Sequence, residues 1–346
     1  MKYSFANDYS EGAHQSILNA LCETNLVQTP GYGVDDFCER AKAAIRRAMK
    51  SETADIHFLV GGTQTNFTVI SSLLRPHQCV ISSDLGHINA HETGAVESTG
   101  HKIIAIPSVE GKITAEAIQA VLKEHAENPI AEHFPQPAMV YISQSTEMGT
   151  IYSKAEMHSI HKVCQDYGIP LFVDGARLGC GLTCRSSDIT LPDMADLCDI
   201  FFIGGTKNGA LFGEAVVFND PKLGRDFRYM IKLRGGMLAK GRLLGLQFEQ
   251  LFTDDLYFKL ARHANEMAEY LAEGIAALGY KFDAAPVTNQ IFPIFPKKLI
   301  AELEKDYSLT FISHVDDDHD CMRLCTSWAS DKQKLAQFLD DLKKLS

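Results

Sequence analysis

The sequence predicts an α/β fold: a seven-stranded, mostly parallel sheet sandwiched by helices, plus a smaller C-terminal α+β domain. Three observations predict it. Short runs rich in Val, Ile and Phe alternate with longer amphipathic stretches. Most runs are apolar on both sides, as suits a sheet covered on both faces. After about residue 225 the alternation gives way to long helical patterns and proline-punctuated strands.

In chain order, the candidate strands are 56–60 (IHFLV), 79–82 (CVIS), 102–106 (KIIAI), 138–142 (AMVYI), 171–174 (LFVD), 200–203 (IFFI) and 215–218 (AVVF). Helical patterns lie between them. Residues 36–50 carry apolar residues at helical spacing and basic residues in the last turn, where cations are favoured. Residues 114–125 open on TAEA and continue IQAVLKEH. Residues 153–167 open on SKAE, a capping-box pattern, and stop at Gly168. The loop joining 200–203 to 215–218 is too short for a helical crossover, so the last strand is expected to run antiparallel. Beyond it, 235–252 and 257–278 read as long helices. A strand region (NQIFPIFPKK), a further apolar segment (MRLCTSW) and a helix from Asp331 complete the chain. The expected organisation is an N-terminal arm (1–13), a large α/β domain (14–250) and a small α+β domain (251–346).

Composition narrows the function. The 346 residues are many for one core, and 45% apolar with 22% charged residues is the balance of a globular enzyme. A net charge of −11 with no basic stripe argues against a nucleic-acid partner. Nine scattered cysteines, an odd number, read as reduced thiols in a cytoplasmic protein. The opening MKYSFANDYSEG has no apolar signal core, and no apolar run is long enough to span a bilayer, so no membrane association is expected. The spacings CGLTC and CMRLC lack a neighbouring His pair, so core cysteine is preferred to a metal site.

Four places along the sheet carry candidate chemistry. Lys207 sits among glycines and small polar residues just past a buried strand, where α/β sheets hold ligands. A partly desolvated amine there can lose its proton and attack an aldehyde; the plain alternative is a solvated loop lysine. Asp174 ends the strand LFVD, and a carboxylate so placed needs a cation or a donor. A protonated pyridine nitrogen is one such partner, and Arg177, three residues on, is another. Gly61 and Gly62 end a strand, with Thr63 and Gln64 opening a helix. Free amides at such a terminus bind phosphate, although a simple turn has the same sequence. His87 follows the strand CVIS and can stack on a flat ring. With His91 and Glu92 it mimics part of a metal pattern but lacks the HExxH order, so no metal is expected. Taken together, a phosphate cradle, a stacking His, a buried Asp and a strand-end Lys are what pyridoxal 5′-phosphate requires, with Lys207 forming a covalent imine to its aldehyde.

These residues resemble the fold-type I pyridoxal-phosphate enzymes. Within them, the chain is similar to the threonine aldolase branch of the aromatic amino acid β-eliminating lyase/threonine aldolase family. The matching segments are NDYSEG, Tyr32-Gly33, GGTQTN, GHINAHETGA, DGARLG, GGTKNG and MRLCTSW. The resemblance implies aldol cleavage of L-threonine, L-allo-threonine or another β-hydroxy amino acid to glycine and an aldehyde. A β-eliminating lyase acting on another amino acid is the alternative. It implies that Lys207 forms the imine and Asp174 holds the ring nitrogen. His87 stacks on the ring, and Gly62, Thr63 and Gln64 hold the phosphate. Arg177 lies by the ring oxygen and the substrate carboxylate, which Ser10 and Arg323 also hold. It further implies a homodimer or homotetramer with Tyr32 reaching a neighbour's cofactor. The chain departs from the family at Leu238, where relatives carry an arginine for a neighbouring subunit's phosphate; Lys240 and Arg234 are the nearby substitutes. A second histidine near the substrate hydroxyl has no match, His125 and His133 lying outside the motif, so the base for that proton is open.

Overall fold

The computed structural model describes residues 2–345; Met1 and Ser346, the outermost residues of the expected arm and small domain, lie outside the described residues. Seven strands form the central sheet: β1 (Asp55–Leu59), β2 (Gln78–Ser83), β3 (Ile103–Ile106), β4 (Gln136–Ser143), β5 (Leu171–Asp174), β6 (Ile200–Gly204) and β7 (Glu214–Phe218). Their order across the sheet is β1-β7-β6-β5-β4-β2-β3. Strands β3, β2, β4, β5 and β6 pair in parallel. As expected from its short connection, β7 is antiparallel to β6, and it is also antiparallel to β1 on its other side.

The runs are apolar throughout because both faces are covered. Neighbouring residues of one strand point to opposite faces. Val140, Phe201 and Val217 enter one apolar cluster with Ile45 and Phe248, from helices Asp36–Met49 and Arg242–Leu251. Tyr141, Phe202 and Val216 enter a second cluster on the other face, with Val69 and Phe227 from helices Gly62–Leu73 and Phe227–Leu233.

The local signals act where the sequence places them. Asp35 caps Asp36–Met49 by accepting from the Cys38 amide, Arg46 and Arg47 lie in its last turn, and Lys50 ends it in the left-handed region. Ser153 and Glu156 form a reciprocal capping box on Lys154–Asp166. One expected element needs correction. The helix expected over 235–252 starts only at Arg242. The stretch before it is a loop in which Gly235 takes φ +74° and Gly236 lies against the Gln64 side chain, where a Cβ would come within 2.9 Å of Oε1. These glycines serve a turn and a close approach, which helical periodicity does not reveal.

Beyond the 22-residue helix Leu256–Ala277 comes a small antiparallel sheet: β8 (Gln290–Ile291), β9 (Ile294–Pro296), β10 (Thr310–His314) and β11 (His319–Cys325). β11 is its centre, pairing with β9, β10 and β8. The terminal helix Lys332–Leu345 covers this sheet, and Phe338 packs with Leu271, Phe295 and Leu324. Phe5 joins the same cluster, and Tyr3–Ser4 pairs with Tyr307–Ser308, so the N-terminal segment is fastened to the C-terminal sheet. Among the described residues no helix is long and apolar enough to cross a membrane. The cysteines are all unpaired, and no cluster of three or more metal-ligating side chains occurs among the described residues.

Candidate active site

The candidate residues converge because the parallel strands end on one edge. β1 ends before Gly61, β2 before His87, β4 before Glu147, β5 at Asp174 and β6 before Lys207. Antiparallel β7 starts on the same edge with Glu214. Between these ends lies a cleft of about 300 Å³, lined by Gly62, Thr63, His87, Asp174, Arg177 and Lys207. Each of these six is a residue the sequence nominates. Tyr9, Ser143, Glu147 and Glu214, which it does not, also line the cleft.

Asp174 is 5% exposed. Its Oδ2 accepts from the Tyr141 hydroxyl at 2.5 Å and from Asn66 Nδ2 at 3.1 Å, and Oδ1 accepts from the Ala176 amide at 2.9 Å. Burial, followed by the charge of Asp174, drives the Tyr141 phenol far above its ordinary pKa, so it stays protonated and donates. The turn after Asp174 requires glycine: a Cβ on Gly175 would lie 1.7 Å from the Phe202 carbonyl oxygen.

Among the described residues Lys207 makes no hydrogen bond or ion pair from its ammonium group. Burial lowers its pKa and the nearby Arg177 lowers it further, against the opposing charges of Asp8, Asp174 and Glu214. Glu214 is pushed up to about 8, chiefly by burial, while accepting from Thr206 Oγ1 at 2.8 Å and the Gly205 amide at 3.1 Å. An amine biased toward its neutral form is suited to nucleophilic attack on an aldehyde.

Gly61 opens the helix Gly62–Leu73 with no side-chain cap, and the first amide to return to it is that of Thr65, on the Gly61 carbonyl. The amides of Gly62, Thr63 and Gln64 thus precede the first hydrogen-bonded helical amide and suit an anion. The Gln64 side chain has other work: Nε2 donates to the Arg234 carbonyl at 3.1 Å and braces the loop after 233. His87 Nδ1 is 2.8 Å from Glu92 Oε1, which also receives Asn66 Nδ2 at 2.7 Å, so the ring is held in one orientation.

Arg177 does not ion-pair with Asp174. Its Nε and Nη2 donate to Asp8 Oδ2 and Oδ1 at 2.6 and 3.0 Å, and Asn289 Nδ2 donates to Asp8 Oδ2 at 2.9 Å. Burial favours the neutral Asp8 carboxyl, but the charges of Arg177 and Lys207 outweigh it and hold the carboxyl at about 2, below its ordinary 3.8. The folded value lies below the unfolded one. The pair's contribution is therefore complete above about pH 4 and lost as pH falls through about 2, and amounts to about 2 kcal/mol at neutral pH. Asp8→Asn is expected to lower stability by that order at neutral pH. In urea titrations the gap to wild type should narrow as pH drops from 5 to 2; a gap independent of pH contradicts the assignment.

Arg323 lies on β11 opposite Thr310. Its Nη2 donates to the Ala6 carbonyl at 3.1 Å, and its Nε is buried without a partner. It shares its surroundings with Lys207: burial lowers the His91 imidazole, and the charges of His87, Arg323 and Lys207 add to that effect. Ser10 is exposed and donates to Asn7 Oδ1 at 3.0 Å; its neighbour Tyr9 is the one that lines the cleft. Leu238 and Lys240 lie in the glycine loop, Lys240 exposed. Arg234 places its guanidinium 5.8 Å from the Phe67 ring centroid with Nε buried and unpartnered. Tyr32 is 47% exposed, under the Lys232 ammonium. His125 and His133 do not line the cleft.

The donor set fits pyridoxal phosphate: open amides for a phosphate, an unpaired amine for the aldehyde, a buried carboxylate for the ring nitrogen and a fixed imidazole for a ring face. Aspartate aminotransferase from Thermus thermophilus has the same architecture, with a TM-score of 0.75 at 14% identity over 100% of this chain and 92% of that one. The fold is that of the fold-type I pyridoxal-phosphate enzymes. Residues 10–297 match the model of the beta-eliminating lyase family, and the chain belongs to that family. It is a pyridoxal-phosphate-dependent lyase. Among relatives, the chain is similar to a structure of a Leishmania major threonine aldolase, with 43% identity, 99% of each chain covered and a TM-score of 0.96. It is also 31% identical to a low specificity L-threonine aldolase of a Pseudomonas species, over 84% of this chain and 81% of the relative. A protein of the same description from Pseudomonas aeruginosa is 29% identical over 87% of this chain and 84% of its own.

Proposed function

We propose that this enzyme cleaves L-threonine and L-allo-threonine, as β-hydroxy-α-amino acids, to glycine and acetaldehyde. The observation that carries the reading is the unpaired Lys207 sharing a cleft with Asp174 and the open helix terminus at Gly62. The named relatives supply the substrate. When bound, the coenzyme supplies a sink for the electron pair released at the substrate's α-carbon.

The chain's own residues do the rest. Lys207 would hold the coenzyme's aldehyde carbon. Asp174 keeps a negative charge where the ring nitrogen needs its proton. The amides of Gly62, Thr63 and Gln64 would take the phosphate, and His87, fixed by Glu92, would cover one ring face. Arg177, immobilised by Asp8, and Arg323, with its unpartnered Nε, would clamp the substrate carboxylate. A clamp of this kind would fix the orientation of the bond to be broken. We further infer cytoplasmic residence, supported by the unpaired cysteines, all but Cys22 buried. We also infer a homodimer or homotetramer, supported by the exposed apolar side chains of Tyr32, Val34, Tyr229 and Leu233.

Product analysis tests the activity. Threonine, allo-threonine and phenylserine should each yield glycine and the matching aldehyde. The beta-eliminating description of the family makes elimination the competing chemistry. Pyruvate from tyrosine or serine, with no aldehyde from threonine, would replace the aldolase reading.

A further inference from the structure

Three carboxylates line the cleft: Asp174, Glu214 and Glu147. Both oxygens of Asp174 are occupied by donors, as are both of Glu214. Glu147 differs. Its Oε1 accepts from Ser143 Oγ at 2.7 Å and from the His87 amide at 2.9 Å, whereas Oε2 accepts from no other residue among the described residues. The turn carrying it is firmly closed: the Thr146 amide donates to the Thr150 carbonyl, the Gly149 amide returns to the Thr146 carbonyl, and the two threonine hydroxyls lie 2.7 Å apart. One oxygen is thus anchored and the other is offered to the cleft, beside His87.

We propose that Glu147 is the catalytic base that takes the β-hydroxyl proton of the substrate through Oε2. The proposal rests on the aldol-cleavage reading and supplies the group that reading lacks. In the step, the hydroxyl O–H bond breaks and its proton passes to Oε2. The freed pair becomes the second bond of the aldehyde carbonyl. The Cα–Cβ bond breaks with its pair left at Cα, where the coenzyme is present to accept it. Cα then gains a proton to complete glycine, and Glu147 returns its proton to solvent, so protons and electrons balance. Glu147 lines the same cleft as Lys207 and accepts from the His87 amide, which places it beside the imidazole that would cover the ring.

The electrostatics agree. Burial raises the Glu147 carboxyl, against the Ser143 hydrogen bond and the residue's own amide; the charge of Asp174 adds to the rise and His87 opposes it. A carboxylate raised toward neutral pH is a stronger base at working pH. The titratable and charged groups around it are Asp174, His87, Lys207, Glu214, Arg177 and Tyr9 in the cleft, and Tyr141 and Tyr152 packed behind.

Glu147→Gln in the holoenzyme is the test, because Gln can still accept from Ser143 and His87 but cannot take a proton. Visible absorbance of the bound coenzyme and the spectrophotometric Kd for glycine should stay within about threefold of wild type. Exchange of the glycine α-proton in deuterium oxide should persist. Threonine cleavage should fall by about 100-fold or more, with the acidic limb of the kcat/KM profile lost, and Glu147→Asp should restore part of it. Cleavage within threefold of wild type, or glycine exchange that falls in step with cleavage, overturns the proposal. A wild-type protein that binds no coenzyme, or releases no aldehyde, overturns the functional reading and this proposal together, and is recognised before any variant is made.

Discussion

Lys207→Ala is expected to give a folded protein that takes up no coenzyme covalently, stays colourless at visible wavelengths and cleaves threonine at least a thousandfold more slowly. Removal of a covalent nucleophile commonly costs at least that much, about 4 kcal/mol of barrier. The fold should not suffer. The Lys207 ammonium has no hydrogen bond or ion pair, and its burial opposes its own charge. Removing it is expected to leave stability unchanged or raise it by about 1 kcal/mol, as often happens when a strained functional group is deleted. Paired measurements decide the matter: absorbance with borohydride trapping and peptide mapping, against urea unfolding of the coenzyme-free protein. Trapping at another lysine, or a Lys207→Ala protein still coloured by bound coenzyme, removes Lys207 from its role. A variant that is inactive because it unfolds would show that Lys207 supports the fold.

What was legible in the sequence follows from how local each signal is. The strands announce themselves because burial on both faces demands unbroken Val, Ile and Phe, and Val140 and Tyr141 show why, entering opposite clusters. The antiparallel sense of β7 follows from loop length alone. Lys207, Asp174, His87 and Gly62 could be nominated because each lies at a strand end or within four residues of one. Asp8 was not: it meets Arg177 across 169 residues of chain, and nothing in NDYS reports that partner. Tyr141 looks like one more apolar strand residue until its hydroxyl is seen on Asp174. Glu147 and Glu214 carry no local sequence signal, because only the assembled sheet edge brings them to the cleft. The helix expected from 235 failed for a related reason. Its glycines answer to Gln64 and to the Gly33 backbone, partners that apolar periodicity cannot encode.

Asp174→Asn separates charge from hydrogen bonding at the position proposed to hold the ring nitrogen. The substitution keeps the shape of the side chain and removes its negative charge. One amide end must now face donors. Turned toward Tyr141 and Asn66, its NH2 meets a hydroxyl and an amide that both donate; turned the other way, it meets the Ala176 amide. One buried donor is left unmatched in either orientation, which costs about 1–3 kcal/mol of stability. The effect on catalysis is expected to be larger, on the order of a thousandfold in kcat/KM. A neutral amide cannot hold a proton on the coenzyme's ring nitrogen, and a preorganised charge in a water-poor site counts for several kcal/mol. Tyr141→Phe supplies the control. It deletes one donor to Asp174 but leaves the carboxylate charged, so cleavage should drop only about tenfold, the equivalent of one hydrogen bond. If Asp174→Asn still binds coenzyme and cleaves threonine within tenfold of wild type, the charge at the end of β5 is not what the reaction draws on. If Tyr141→Phe loses as much as Asp174→Asn, the phenol rather than the carboxylate dominates the site.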